Sequence, residues 1–262
     1  VISFSLDALY IWINSAFWPF VRLLALITTA PVLGESTIPT RAKVGLAALT
    51  ALAIAPVLPP APAISPASYL GLWTTAQQVL IGLGLGLCMR IAFAAVQTAG
   101  ELIGLQMGLS FASFFGPATG ANTTVLSRLM NMMAILVFLT LDGHLMLLQA
   151  LFHTFAVLPA APGSLDAGAW QVLFHWSAQV LTGGLLLALP LVMTLLCISL
   201  ALGILNRTAQ QLSVFAVGFP ISLLSGLILL AVILPQTAPF LSRLFNTALL
   251  VMRQLADALA PM

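Results

Sequence analysis

Charged positions are sparse along this chain, and they cut it into long apolar stretches. No acidic or basic residue occurs from Val44 to Met89, from Ala167 to Asn206 or from Thr208 to Ser242. A helix that crosses a bilayer needs about 20 predominantly apolar residues, so each stretch has room for at least one span. Backbone groups in hydrocarbon must be hydrogen-bonded internally, which restricts spans to helices and closed barrels. Barrel strands would be short and would alternate apolar with polar residues. Runs such as Val180–Leu181 and Leu185–Leu189 are apolar on both faces. The pattern predicts an all-α integral membrane protein of about six long, partly broken hydrophobic helices.

The first segment runs from about Ala8 to Val32 and contains Arg22. It has no basic leader region, so it is expected to be a retained helix and not a removed signal peptide. A loop of turn formers, Gly34 to Thr40, precedes Arg41 and Lys43. The second segment, about Val44 to Leu58, closes on Pro56, Pro59, Pro60, Pro62 and Pro66, which forbid a continuing helix. The third is expected from Tyr69 to about Ser110. The fourth is expected from about Thr124 to Leu158, broken at Asp142-Gly143, with Asp142 capping the next turn. Pro159 to Gly168 reads as a loop. The fifth segment spans about Trp170 to Leu205, with kinks at Gly183-Gly184 and Pro190, and the sixth spans Leu212 to Leu234. The remainder, about 239–260, is expected to be a separate, partly amphipathic helix with Arg253 and Asp257 one turn apart. No internal repeat is visible, and 1–262 is read as a single membrane domain.

Composition narrows the class further. Hydrophobic residues make up 61% of the chain and charged ones 5%, against about 25% charged in a soluble domain. That excludes a cytosolic enzyme and a disordered chain. The net charge of +2 is too small for a surface that tracks nucleic-acid phosphates. Basic residues in the first, third and fifth loops would place those loops in the cytoplasm; Arg243 and Arg253 then fall on the opposite side. Metalloprotease, serine-hydrolase and phosphate-loop motifs are missing from the sequence, so no enzyme, metal or cofactor is expected. Cys88 and Cys197 lie in apolar runs and read as small buried hydrophobes.

Four features carry candidate function. Gly82, Gly84 and Gly86 are followed by Gly100, Gly104 and Gly108 at a spacing of four, which lets a neighbouring backbone approach closely. The neighbour belongs either to this chain or to another. Arg90, Gln97 and Glu101 share a face, yet Arg90 and Glu101 lie about 16 Å apart along one helix and cannot pair. They need other partners, either polar contacts at a subunit interface or, with Asp142 and His144, an ion path. Phe111-Ala112-Ser113-Phe114-Phe115 precedes the small and polar stretch Gly116 to Thr123. That stretch is either a surface loop or a lid whose rings seal a pore and whose flexible part lets it move. The cluster Met130, Met132 and Met133 reads as adaptable packing.

Several strings resemble a known family. They are Pro31-Val32-Leu33-Gly34 with Ile38-Pro39-x-Arg41-x-Lys43-Val44-Gly45, then Gly100-Glu101-Leu102-Ile103-Gly104-Leu105-Gln106-Met107-Gly108-Leu109-Ser110-Phe111-Ala112, then Leu141-Asp142-Gly143-His144, and last Asn206-Arg207-Thr208-Ala209 with Val214-Phe215-Ala216-Val217-Gly218-Phe219-Pro220. In order and spacing they resemble the FliR family, the R component of the type III export gate. Gln210 is a departure, standing where that family usually has proline.

The resemblance implies bent helical hairpins inside a hetero-oligomeric gate in the bacterial inner membrane, at the flagellar basal body. It implies FliP-like, FliQ-like, FlhB-like and FlhA-like partners, and unfolded flagellar subunits as cargo. It places a plug at about 107–122, with Met107, Phe111, Phe114, Phe115, Gly116, Pro117, Gly120 and Asn122 as plug residues. Gly82, Gly86, Gly100, Gly104, Gly108, Arg90, Glu101 and Arg207 are then expected at helix-packing or subunit contacts, with the glycine faces covered by other chains. The competing reading is a small-solute or ion transporter that uses Arg90, Glu101, Asp142 and His144.

Overall fold

The computed structural model describes residues 6–59, 64–109, 125–161, 163, 165–208 and 214–260. Among them every regular element is helical. In chain order these are α1 (Leu6–Thr29), α2 (Thr40–Ile54), α3 (Tyr69–Gln106), α4 (Val125–Thr140), α5 (Gly143–Val157), a 3-10 turn (Ala167–Ala169), α6 (Trp170–Ser177), α7 (Gln179–Thr208) and α8 (Val214–Leu259). Three stretches are long and apolar enough to cross a membrane: Tyr69–Gln106, Ala167–Leu205 and Gly218–Leu259. The pair α4 and α5 counts as a fourth if it forms one broken span. With 38 residues, α3 is about 57 Å long, well beyond the ~30 Å of a hydrocarbon core.

The helix boundaries have local causes. After α1, Val32 takes a left-handed φ of 70°, which is strained for a β-branched residue. A Cβ on Gly34 would lie 2.5 Å from the Ala30 carbonyl oxygen, so only glycine fits there. The buried Lys43 ammonium donates to the Gly34 carbonyl at 2.9 Å and ties the turn to α2. Ser68 caps α3 through its hydroxyl, which accepts from the Gly71 N–H at 3.0 Å. The expected break in the fourth segment falls at Leu141-Asp142, with Asp142 at φ 54°. The Asp142 side chain caps nothing, contrary to expectation; its main-chain carbonyl accepts from Leu145 and Met146 instead.

Two boundaries differ from the sequence reading. The fifth segment is interrupted after Ser177, and Gly183, Gly184 and Pro190 lie inside the continuous helix α7. The sixth segment and the tail are one 46-residue helix, α8, with Pro220, Pro235 and Pro239 inside it. Each proline removes one N–H and frees one carbonyl. Along the same helix, hydroxyls bond carbonyls of the preceding turn, Ser222 to those of Gly218 and Phe219, Ser225 to that of Ile221 and Thr237 to that of Leu234.

The chain packs as two compact units. One comprises residues up to Ile91, Asp142–Ser177 and Asn246 onward; the other comprises Ala92–Leu141 and Ala178–Phe245. The core of the first unit contains Trp18, Leu23, Leu26, Ile27, Ile81, Leu85, Met89, Leu147 and Leu255. That of the second holds an aromatic trio, with Phe93 stacked on Phe245 at 5.0 Å and Phe138 edge-on to both at 5.6 and 5.4 Å.

Candidate gate region

In the second unit, the last turns of α3 and the first turns of α4 form a closely fitted crossing. Gly100 makes it possible: a Cβ there would lie 2.6 Å from the Ser127 Cα. With no side chain between the helices, polar groups meet. The buried Ser127 hydroxyl donates to the Gln97 carbonyl at 3.1 Å, and the Gln97 side-chain amide donates to Asn131 Oδ1 at 3.0 Å. In apolar surroundings such bonds matter most through the cost of leaving either partner unmade.

The end of α3 is then fixed twice. Gly108 has φ 79°; its N–H bonds to the Leu105 carbonyl, and the Leu109 N–H bonds to that of Gly104. This is a Schellman end, which needs glycine at the left-handed position. The residue before it, Met107, is 1% exposed and lies against α8, where a Cβ on Gly226 would come within 2.6 Å of its Cγ. The segment expected to act as a lid thus leaves from a pinned end at residue 109 and returns into the Gly100–Ser127 crossing. Of the expected plug residues only Met107 is described; Phe111, Phe114, Phe115, Gly116, Pro117, Gly120 and Asn122 lie outside the described residues.

The expected packing glycines resolve into different roles. Gly82 faces the Arg22 carbonyl and Ala25 Cβ on α1, and Gly86 faces the Thr29 side chain on the same helix. Gly84 contacts Trp170 and Leu255. At Gly82, Gly86 and Gly100 the close neighbour is therefore this chain, which corrects the expectation that partner chains cover these faces. Gly104 is buried, and Gly108 serves the backbone turn. Gly184 brings α7 against the Ala95 carbonyl and Thr98 of α3. Arg90 and Arg207 are exposed and Glu101 is half-buried. Arg207 sits in the last turn of α7, where a cation complements the helix dipole. Among the described residues, Arg90, Asp142 and His144 make no hydrogen bond or ion pair with one another. Cys88 is buried as expected, whereas Cys197 is exposed.

Sequence reasoning missed the most elaborate polar site, in the first unit. Arg22 is fully buried, and its partners are neutral. Its Nε donates to Gln78 Oε1 at 2.7 Å, Nη1 to the Thr154 hydroxyl at 2.9 Å and Nη2 to the Leu158 carbonyl at 2.8 Å. The guanidinium also stacks over Phe155, 4.0 Å from its centroid. Gln77, next on α3, donates its amide to the Gly163 carbonyl. The signal was present as two adjacent glutamines in the charge-free first half of α3, which burial tolerates only when they are bonded.

Helix length, composition and this internal use of polar groups define a polytopic, all-helical membrane protein. The chain belongs to the bacterial export proteins, family 1, which residues 13–248 match. It is 50% identical over 235 residues to the flagellar biosynthetic protein FliR of Escherichia coli K12, covering 90% of each chain. It is 49% identical over 237 residues to FliR of Pectobacterium carotovorum subsp. carotovorum, again 90% of each. Similarity extends to FliR of Bacillus subtilis, at 29% over 240 residues, 90% of this chain and 92% of that one.

Proposed function

We propose that this protein is a non-enzymatic, pore-forming subunit of the flagellar type III protein export gate in the bacterial inner membrane. In this reading it assembles with FliP-like, FliQ-like, FlhB-like and FlhA-like components, and unfolded flagellar proteins cross through the assembled pore. The stretch 107–122 closes the channel when nothing is exported. The similarity to FliR proteins over nine-tenths of each chain supports the export role.

The observation that carries the plug assignment is the pair of pinned stems. Met107 locked on Gly226, the Schellman end at Gly108 and the Gly100–Ser127 crossing hold both ends of the segment. A closure that must move repeatedly works only if its attachments do not. Shortening 111–122 in the assembled gate is expected to raise the conductance of the membrane to small ions. Unchanged conductance in a gate that still assembles would overturn the plug assignment. Glu101→Gln is expected to weaken co-purification with the FliP-like and FliQ-like chains; transport by the isolated chain in liposomes, abolished by this substitution, would favour the transporter instead.

A further inference from the structure

A groove of about 790 Å³ opens in the first unit between the start of α6 and the end of α8. Its polar lining is Asp166, Gln171, His175, Gln254 and Asp257, and Trp176 forms part of its apolar wall. Among the described residues the lining contains no lysine or arginine. Trp176 is held by its indole N–H, which donates to the Cys88 carbonyl at 2.7 Å. His175 donates Nδ1–H to the Gln171 carbonyl at 2.7 Å, which leaves Nε2 of the neutral ring as an acceptor. Asp166 accepts the Gly168 N–H through one oxygen at 2.8 Å, and a carboxylate retains further acceptor sites.

Asp257 decides the character of the groove. Arg253 lies one turn earlier on α8, the spacing at which an intrahelical ion pair forms. The two do not pair: Arg253 lines a separate cleft of about 280 Å³ with Met146, Gln149 and Asn246, while Asp257 lines the groove. Its side chain is exposed, and among the described residues no hydrogen bond or ion pair reaches it. The groove therefore joins apolar walls to an excess of acceptors and negative charge. An anionic phospholipid headgroup would bring its phosphate against two carboxylates with no cation to receive it. A polypeptide segment with one Lys or Arg among apolar residues meets both requirements, since charge complementarity fixes register and partner choice.

We propose that this groove is a docking site for a segment of a partner protein that places a lysine or arginine against Asp257 and Asp166. The site is independent of the plug, because conductance tests residues 107–122 and docking tests the groove.

The test is site-directed photo-crosslinking in cells that express the full chain, with a photoreactive residue at Val172 in the groove. The expected result is a discrete protein adduct whose mapped peptide carries Lys or Arg within one helical turn of the crosslink. Asp257→Lys should lower the adduct yield about tenfold or more, and Asp257→Asn should lower it less. Reversing the mapped basic residue should restore the yield in the Asp257→Lys background, and Arg253→Glu should leave it unchanged. Adducts of lipid mass only, no adduct, a mapped peptide without a basic residue, or a yield indifferent to Asp257→Lys would each overturn the proposal.

Discussion

The unit that holds α1 and α5 and the unit that holds α4 and α7 are built from equally apolar helices, yet different chemistry joins them. In the first, a buried guanidinium reaches Gln78, Thr154 and the Leu158 carbonyl, so that one side chain from α1 satisfies groups on α3 and at the end of α5. In the second, no buried charge takes that role among the described residues. There, three stacked or edge-on phenylalanines, the bare surface of Gly100 and the neutral bonds of Gln97 with Asn131 and Ser127 join helices. The difference concerns tolerance. A hub with three obligate partners fails all at once when it is removed, whereas a seam of dispersion contacts and neutral hydrogen bonds loses stability in steps.

The sharpest way to break that comparison is Arg22→Met. It leaves three buried acceptors without their donor, and the expected loss is on the order of 4 kcal/mol, read as the thermal midpoint of the purified protein in detergent. A cost no larger than that of Leu23→Ala would show that Arg22 is not a hub. Next comes Gly100→Ala, whose methyl meets backbone and not a movable side chain; about 2 kcal/mol is expected. Ser127→Ala should not relieve it, because the close atom is the Ser127 Cα. Gly108→Ala should cost about 1 kcal/mol through the left-handed backbone, and limited proteolysis should cut more readily just after residue 108. The smallest effect belongs to Gln97 and Asn131. A double-mutant cycle with leucine at both positions should give a coupling of about 0.5–1 kcal/mol; zero coupling would show that this amide pair does not help to hold the second unit.

Much of the helix layout was legible because charge-free length is a strong signal. The stretches at 69–106 and 170–205 and the break at Asp142 could be read from composition and turn residues alone. The tail was not, because proline in a soluble helix reads as a stop, whereas a long apolar helix tolerates it and α8 continues through Pro235 and Pro239. The glycines were legible as close contacts but not as to what they contact. Spacing of four looks the same whether the neighbour is α1, as at Gly82 and Gly86, or another chain. Gly108 shares that spacing and does something else, since φ is invisible in a periodicity. Arg22 was visible as an embedded charge, but its partners lie 56, 132 and 136 residues away in sequence, and no local pattern points to them.

The Schellman end of α3 has a genetic consequence. Lengthening that helix by even one turn would break two main-chain bonds and force Gly108 out of the backbone region that only glycine enters cheaply. Under the plug role proposed above, selection for leaky variants should therefore return substitutions clustered downstream of residue 109 and almost none among Gly100 to Met107, where a change dismantles the mooring before it can free what is tied to it.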